Sequence, residues 1–184
     1  PRRYVGLVGK YSLNNLPVSI QNQLSAGLTK IEDDNTVSPY LAKRWAIEDG
    51  GKTYRFVVKK DVYWQDGKEL KPDDISYQLP EVEIITTPND IIFKLPDEFV
   101  PFPTTVAKPV FKTIQKKHLF FFKRPMLIGI GEYVLEDYQQ TGQKLKEVTL
   151  GGVKEKIIYR FYFTENEAIL AFKRGEVDEL PDLS

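Results

Sequence analysis

Apolar and polar residues alternate with a period of two over much of this 184-residue chain. In TYRFVVKK, Thr53 to Lys60, the side chains of Tyr54, Phe56 and Val58 fall on one face and those of Arg55 and Lys59 on the other, as in a half-buried strand. YVGLVG (Tyr4 to Gly9), EVEIIT (Glu81 to Thr86) and DIIFKL (Asp90 to Leu95) are similar runs of β-branched and aromatic residues bounded by turn formers. EYVLEDY, KLKEVTL and EKIIYRFYF continue the pattern, and LGGVKEK reads as the hairpin connection between the last two. The chain is therefore expected to be mostly antiparallel sheet.

Two stretches change period. PVSIQNQLSAG, Pro17 to Gly27, sets Ile20 and Leu24 four apart, with proline near its start and Gly27 at the position of a C-cap. TENEAILAFKRGE, Thr164 to Glu176, has Thr164 followed three residues later by Glu167, a capping box, with Ile169, Leu170 and Phe172 as the expected apolar face and Gly175 as its end. FVPFPTTVAKPVF, Phe99 to Phe111, reads as an irregular connection. The run Leu119 to Phe122 sets four apolar residues between basic flanks, and reads either as a buried strand or packed loop or as an interface patch.

A chain of this length is expected to bury roughly 70% of its unfolded surface, enough for a real core. Lysine and arginine number 26, as do aspartate and glutamate, so the net charge is zero and no global field attracts nucleic acid or an anionic membrane. Cysteine is absent, which excludes disulfides, zinc thiolate sites and thiol nucleophiles, and His118 is the single histidine. No stretch approaches the roughly 18 to 20 apolar residues of a membrane span, and a first residue Pro1 without methionine is read as a cut or processed start.

Carboxylates crowd into YWQDGKELKPDD, where acid chemistry would have to sit. Asp66-Gly67 is a turn dipeptide between two alternating runs, which gives Asp66 a backbone role. One of Asp73 and Asp74, after Pro72, is placed to cap a short element rather than to act as an acid. No pair matches a glycosidase arrangement, no G-x-S-x-G elbow is present, and His118 lies beside two lysines without triad partners. GIGEY, Gly129 to Tyr133, lacks the third glycine of a dinucleotide loop and precedes a strand pattern, so it reads as a turn. No catalytic residue, metal site or cofactor is expected.

The run SPYLAKRWAIEDGGKTYRFVVKKDVYWQDGKELKPDDISY, Ser38 to Tyr77, resembles the signature region of the family 5 extracellular solute-binding proteins, the oligopeptide- and dipeptide-binding components of ABC importers. Leu41, Ala42, Trp45, Thr53, Tyr54, Phe56, Trp64, Asp66, Gly67, Asp74 and Tyr77 match it in order. SAGLTKIEDDNTVSP, GIGEYVLEDY and AILAFKRGEVDEL resemble further family segments. Glu132 stands where the family usually has proline, Lys71 and Pro72 where threonine and alanine are common, and the helical insertion usual after DDISY is almost gone.

The resemblance implies an α+β, mostly β fold, part of lobe I of a two-lobed periplasmic-binding-protein architecture (type II, cluster C-like). Residues 1–184 are expected to be one domain, the N-terminal part of that lobe, without the second lobe or the return segment. It also implies a non-enzymatic, extracytoplasmic protein, periplasmic or a cell-surface lipoprotein and monomeric, that holds a peptide or small polar solute by interlobe closure and delivers it to an ABC permease. In such peptide binders the loop after the first strand meets the ligand. Here that loop is KYSLNNLPV, which nominates Tyr11 as an aromatic wall, Asn14 and Asn15 as amide donors and acceptors, and Leu16 beside them. The rival readings are an ordinary asparagine turn, and a structural or interaction domain that keeps the lobe's fold without transport.

Overall fold

The computed structural model describes residues 1–118 and 122–181. In chain order these form β1 (Arg2–Val8), α1 (Val18–Leu24), β2 (Thr29–Ile31), β3 (Val37–Pro39), β4 (Ala42–Glu48), β5 (Thr53–Val58), β6 (Glu83–Thr86) and β7 (Asp90–Lys94). There follow α2 (Phe102–Thr105), β8 (Lys112–His118), β9 (Phe122–Ile128), β10 (Val134–Thr141), β11 (Lys144–Gly151), β12 (Lys156–Tyr162) and α3 (Glu165–Lys173). The expected α+β, mostly β chain is what folds. Its backbone contacts divide it into two compact units, Pro1–Leu24 with the chain from Glu132 onward, and Ser25–Gly131.

The first unit is a sheet of order β1-β12-β11-β10. β10, β11 and β12 pair antiparallel as expected, but β1 runs parallel to β12, with Tyr4 opposite Ile158 and Val8 opposite Tyr162. On its other side β1 is covered by the chain near Glu179: the Gly6 amide donates to the Glu179 carbonyl at 2.9 Å and the Asp178 amide to the Tyr4 carbonyl at 2.7 Å. Val5, Gly6 and Leu7 are all buried, the continuous run expected of a parallel strand covered on both faces rather than the alternation of a half-buried one.

Both helices of this unit begin and pack for local reasons. α1 buries Ile20 and Leu24, the pair set four apart. α3 starts at the expected capping box, in which the Glu167 amide donates to the Thr164 hydroxyl at 3.3 Å and the Thr164 amide to the Glu167 carboxylate at 3.2 Å. Its buried face differs from the expected one. Ala168 and Ala171 are the buried residues, while Leu170 is 50% and Phe172 48% exposed. α3 packs against β1 and β12, and small side chains three apart let its backbone lie close to that sheet.

The second unit is an antiparallel sheet of order β4-β5-β7-β6, with the ribbon β2-β3 and the hairpin β8-β9 as separate pairs. Tyr54, Phe56 and Val58 point into its core as the period of two requires. Phe102 joins them, its ring 4.9 Å from Tyr54 and 5.1 Å from Phe93. The Phe99 to Phe111 segment is thus not wholly irregular: it carries α2, and burying a phenylalanine stabilises the unit by about 2–3 kcal/mol.

Gly27 lies three residues beyond the end of α1 and is not its cap. It is a point of close approach, since a Cβ there would come within 2.5 Å of the Ala107 backbone. Nearby, the buried Tyr77 hydroxyl donates to the Val106 carbonyl at 2.8 Å and accepts the Leu28 amide at 3.2 Å. Burial pushes that phenol's pKa well up, against the opposing effect of the Leu28 hydrogen bond.

β8 and β9 pair from Lys112 opposite Ile128 to His118 opposite Phe122. Within the apolar run, Leu119 to Phe121 lie outside the described residues, and Phe122 is 77% exposed.

Candidate functional site

Asp66, Asp73 and Asp74 are all engaged in holding local structure. Asp66 accepts the Lys68 amide at 3.1 Å, and the Gly67 amide donates to the Trp64 carbonyl at 2.8 Å, closing a turn in which Gly67 has φ +81°. Asp73 accepts a hydrogen bond from the Thr86 hydroxyl. Asp74 ends the 3₁₀ turn Pro72–Asp74, where its Oδ2 accepts the Lys71 amide at 3.0 Å and the Trp64 indole N–H at 3.4 Å. Its Oδ1 lies 2.8 Å from Lys112 Nζ. Burial acts to raise the Asp74 pKa, but the bonds from Lys112, the Lys71 amide and Trp64 outweigh it and hold the carboxyl below its ordinary value. An acid catalyst needs the opposite shift. The Gly129 to Tyr133 turn likewise holds protein: the Gly129 amide donates to Gln65 Oε1 at 2.9 Å, and Gln65 Nε2 to the Gly131 carbonyl at 3.2 Å.

The candidate ligand loop lies in the first unit, at the carboxyl ends of the parallel pair. β1 leads through this loop into α1, and β12 leads through Phe163 and Thr164 into α3, so both crossovers leave the sheet at one end. Crevices outside the carboxyl ends of parallel strands are where open sheets take ligands. The loop is a tight turn in which the Asn15 amide donates to the Ser12 carbonyl at 3.0 Å, with Leu13 and Asn14 at its corner.

The side chains nominated there divide. Tyr11 stands against Phe161, ring centroids 5.3 Å apart, and its carbonyl accepts the Leu145 amide at 2.9 Å, so it is a half-buried wall fixed from two sides. Asn14 and Asn15 are exposed, and neither amide side chain bonds to another described residue. Leu16 is 3% exposed: its side chain belongs to the core of the unit and anchors the loop, while its carbonyl accepts Gln21 Nε2 at 2.7 Å. It is therefore removed from the contact set.

Three neighbours were not nominated. Lys144, the first residue of β11 and next to Leu145, holds its Nζ 5.7 Å from the ring centroid of Phe163, which is exposed. Phe161 and Phe163 were visible as alternate aromatics of EKIIYRFYF, but nothing local in the sequence tied Lys144 to them. Together the loop and its neighbours offer aromatic faces, two free amides and the cations Lys10 and Lys144.

The family described as bacterial extracellular solute-binding proteins, family 5 Middle, matches residues 36–184. The chain belongs to this family. It is a family of binding proteins, not enzymes, and its description places its members outside the cell. Among curated proteins, the oligopeptide-binding protein AppA of Bacillus subtilis is 38% identical over 72 residues, which is 38% of this chain and 13% of that protein.

Among solved structures, AppA of Bacillus subtilis in complex with a nonapeptide superposes with a TM-score of 0.72 at 20% identity, covering 97% of this chain and 43% of that one. NikA of Staphylococcus aureus in complex with Ni(L-His)2 gives 0.75 at 14% identity, covering 96% and 42%. This chain thus spans less than half the length of these solved relatives, and what they share with it is the fold. The Trp64, Asp66, Gly67 and Asp74 signature falls inside the matched residues, and the loop of Tyr11, Asn14 and Asn15 lies before them.

Proposed function

We propose that this family 5 chain is part of the first lobe of the substrate-binding component of an ABC-type importer, which takes a peptide or similar small polar solute. The observation that carries this reading is the pairing of two unbonded amides, Asn14 and Asn15, with the fixed Tyr11–Phe161 wall at the carboxyl ends of β1 and β12. An extended peptide presents amide N–H and C=O groups at intervals, and asparagine side chains carry both complements. Lys144 adds a cation suited to a carboxylate.

In the whole protein, closure between two lobes would bury the solute and present the closed form to a membrane permease, so that binding energy shifts a population and lowers no chemical barrier. The protein works as a monomer outside the cytoplasm, periplasmic or anchored to the surface as a lipoprotein. Calorimetric titration with short peptides and with a nickel–histidine chelate tests the reading. Peptides bind and Asn14→Ala with Asn15→Ala weakens them at least tenfold without altering the unfolding midpoint. Unchanged affinity in the double variant, or binding of the nickel chelate alone, rejects the peptide assignment.

A further inference from the structure

The zero net charge conceals an uneven distribution. From Val100 to Gly131 the sequence carries six cations, Lys108, Lys112, Lys116, Lys117, Lys123 and Arg124, and no aspartate or glutamate. Taking those six from 26 leaves 20 cations against 26 acids elsewhere, a net charge of −6 for the rest of the chain. Fields in salt are local, reaching about 10 Å at 0.1 M, so a zero sum does not cancel such a patch.

The fold gathers four of these charges at one end of one element. β8 and β9 form an isolated two-stranded hairpin, and in its outer half Lys116 faces Arg124 and Lys117 faces Lys123. Like charges directly opposite one another destabilise a strand pair. Lys112, nearer the base, is engaged by Asp74, whereas among the described residues no carboxylate pairs with Lys116, Lys117 or Lys123. Alternation along the strands puts Lys116 on the same face as Phe122, and Lys117 and Lys123 on the other.

Lysines on an open edge can serve simply to discourage pairing with another sheet. That role does not account for Phe122, held 77% exposed beside them. An aromatic ring flanked by cations suits the boundary between lipid headgroups and acyl chains. A protein partner would meet one face of the hairpin, but the cations stand on both, which fits a medium that surrounds the arm.

We propose that the outer end of the β8–β9 hairpin docks on an anionic lipid surface, with Lys116, Lys117 and Lys123 on the phosphates and Phe122 at the headgroup boundary. These residues lie in the second unit, so the inference is independent of the solute site.

Co-sedimentation of the chain with phosphatidylcholine vesicles, with and without phosphatidylglycerol, tests it. Binding requires the anionic lipid and falls as salt is raised. At about fivefold per cation near a surface, the variant K116Q/K117Q/K123Q loses about 100-fold in partitioning, and F122S loses a further part that salt does not affect. The control K146Q/K154Q/K173Q removes the same charge from exposed positions of the first unit and keeps binding. Circular dichroism and an unfolding midpoint no lower than the parent's establish that each variant is folded. Equal binding to neutral vesicles, equal loss in both triple variants, or no vesicle binding with retention on a polyglutamate matrix overturns the proposal, the last transferring the arm to an acidic protein surface.

Discussion

Lys112 holds its ammonium group 4.7 Å above the ring centroid of Trp64. The same nitrogen meets Asp74, which in turn accepts the Trp64 indole N–H, so cation, ring and carboxylate close a triangle across residues far apart in sequence. The tryptophan and the aspartate of the family signature are thus explained as a lock between the turn at Asp66, the 3₁₀ turn at Pro72 and strand β8. Nothing in it acts on a substrate.

The lock sets a pH dependence. Asp74 has a folded pKa below its unfolded value, so its contribution is present above the ordinary carboxylate pKa of about 3.9 and is lost as pH falls through the folded value. Asp74→Ala at pH 7 lowers stability by about 1–3 kcal/mol, through the Lys71 amide, the Trp64 N–H and Lys112 left without their partner. Urea unfolding from pH 7 down to pH 2.5 shows a shallower acid loss in Asp74→Asn than in the parent. Parallel curves would mean that Asp74 is not held ionised by this lock.

At the neighbouring turn two changes separate chemistry from backbone. Asp66→Asn keeps an oxygen for the Lys68 amide and changes stability by less than about 0.5 kcal/mol. Gly67→Ala must hold an alanine at φ +81° and costs about 1 kcal/mol or more. Thermal midpoints of the two variants, measured side by side, check the order.

Tyr77→Phe removes one oxygen from the core and leaves the buried Leu28 amide and Val106 carbonyl without it. The expected loss is about 1–3 kcal/mol with an unchanged denaturant slope, because the fold and its buried area stay the same. A loss below about 0.5 kcal/mol would mean that water replaces the hydroxyl.

Local pattern made the strands legible: β5 is read from Tyr54, Phe56 and Val58 alone, and α3 begins where Thr164 and Glu167 say it should. Features made by distant contacts were not. The pairing of Tyr4 with Ile158 brings together opposite ends of the chain and leaves no local mark, yet it divides the chain into two units. α3 buries alanines because closeness to the sheet matters more than side-chain hydrophobicity, which favoured Leu170 and Phe172. Phe102 was hidden by flanking prolines that suggested only irregular chain. At the candidate site Tyr11, Asn14 and Asn15 were nominated through family resemblance. Leu16 was included only because it is their neighbour, and Lys144 was missed because a strand from another hairpin brings it there.

The most direct test of solute binding at this loop is an NMR titration of the isotopically labelled chain with short peptides, following backbone amide shifts. The account predicts saturable shifts at Lys10 to Val18, with Lys144 and Phe163 moving at the same midpoint and the Trp64 to Asp74 signals still. A well-dispersed spectrum in which the peptides move nothing in that loop, or move only residues of the second unit, would contradict it.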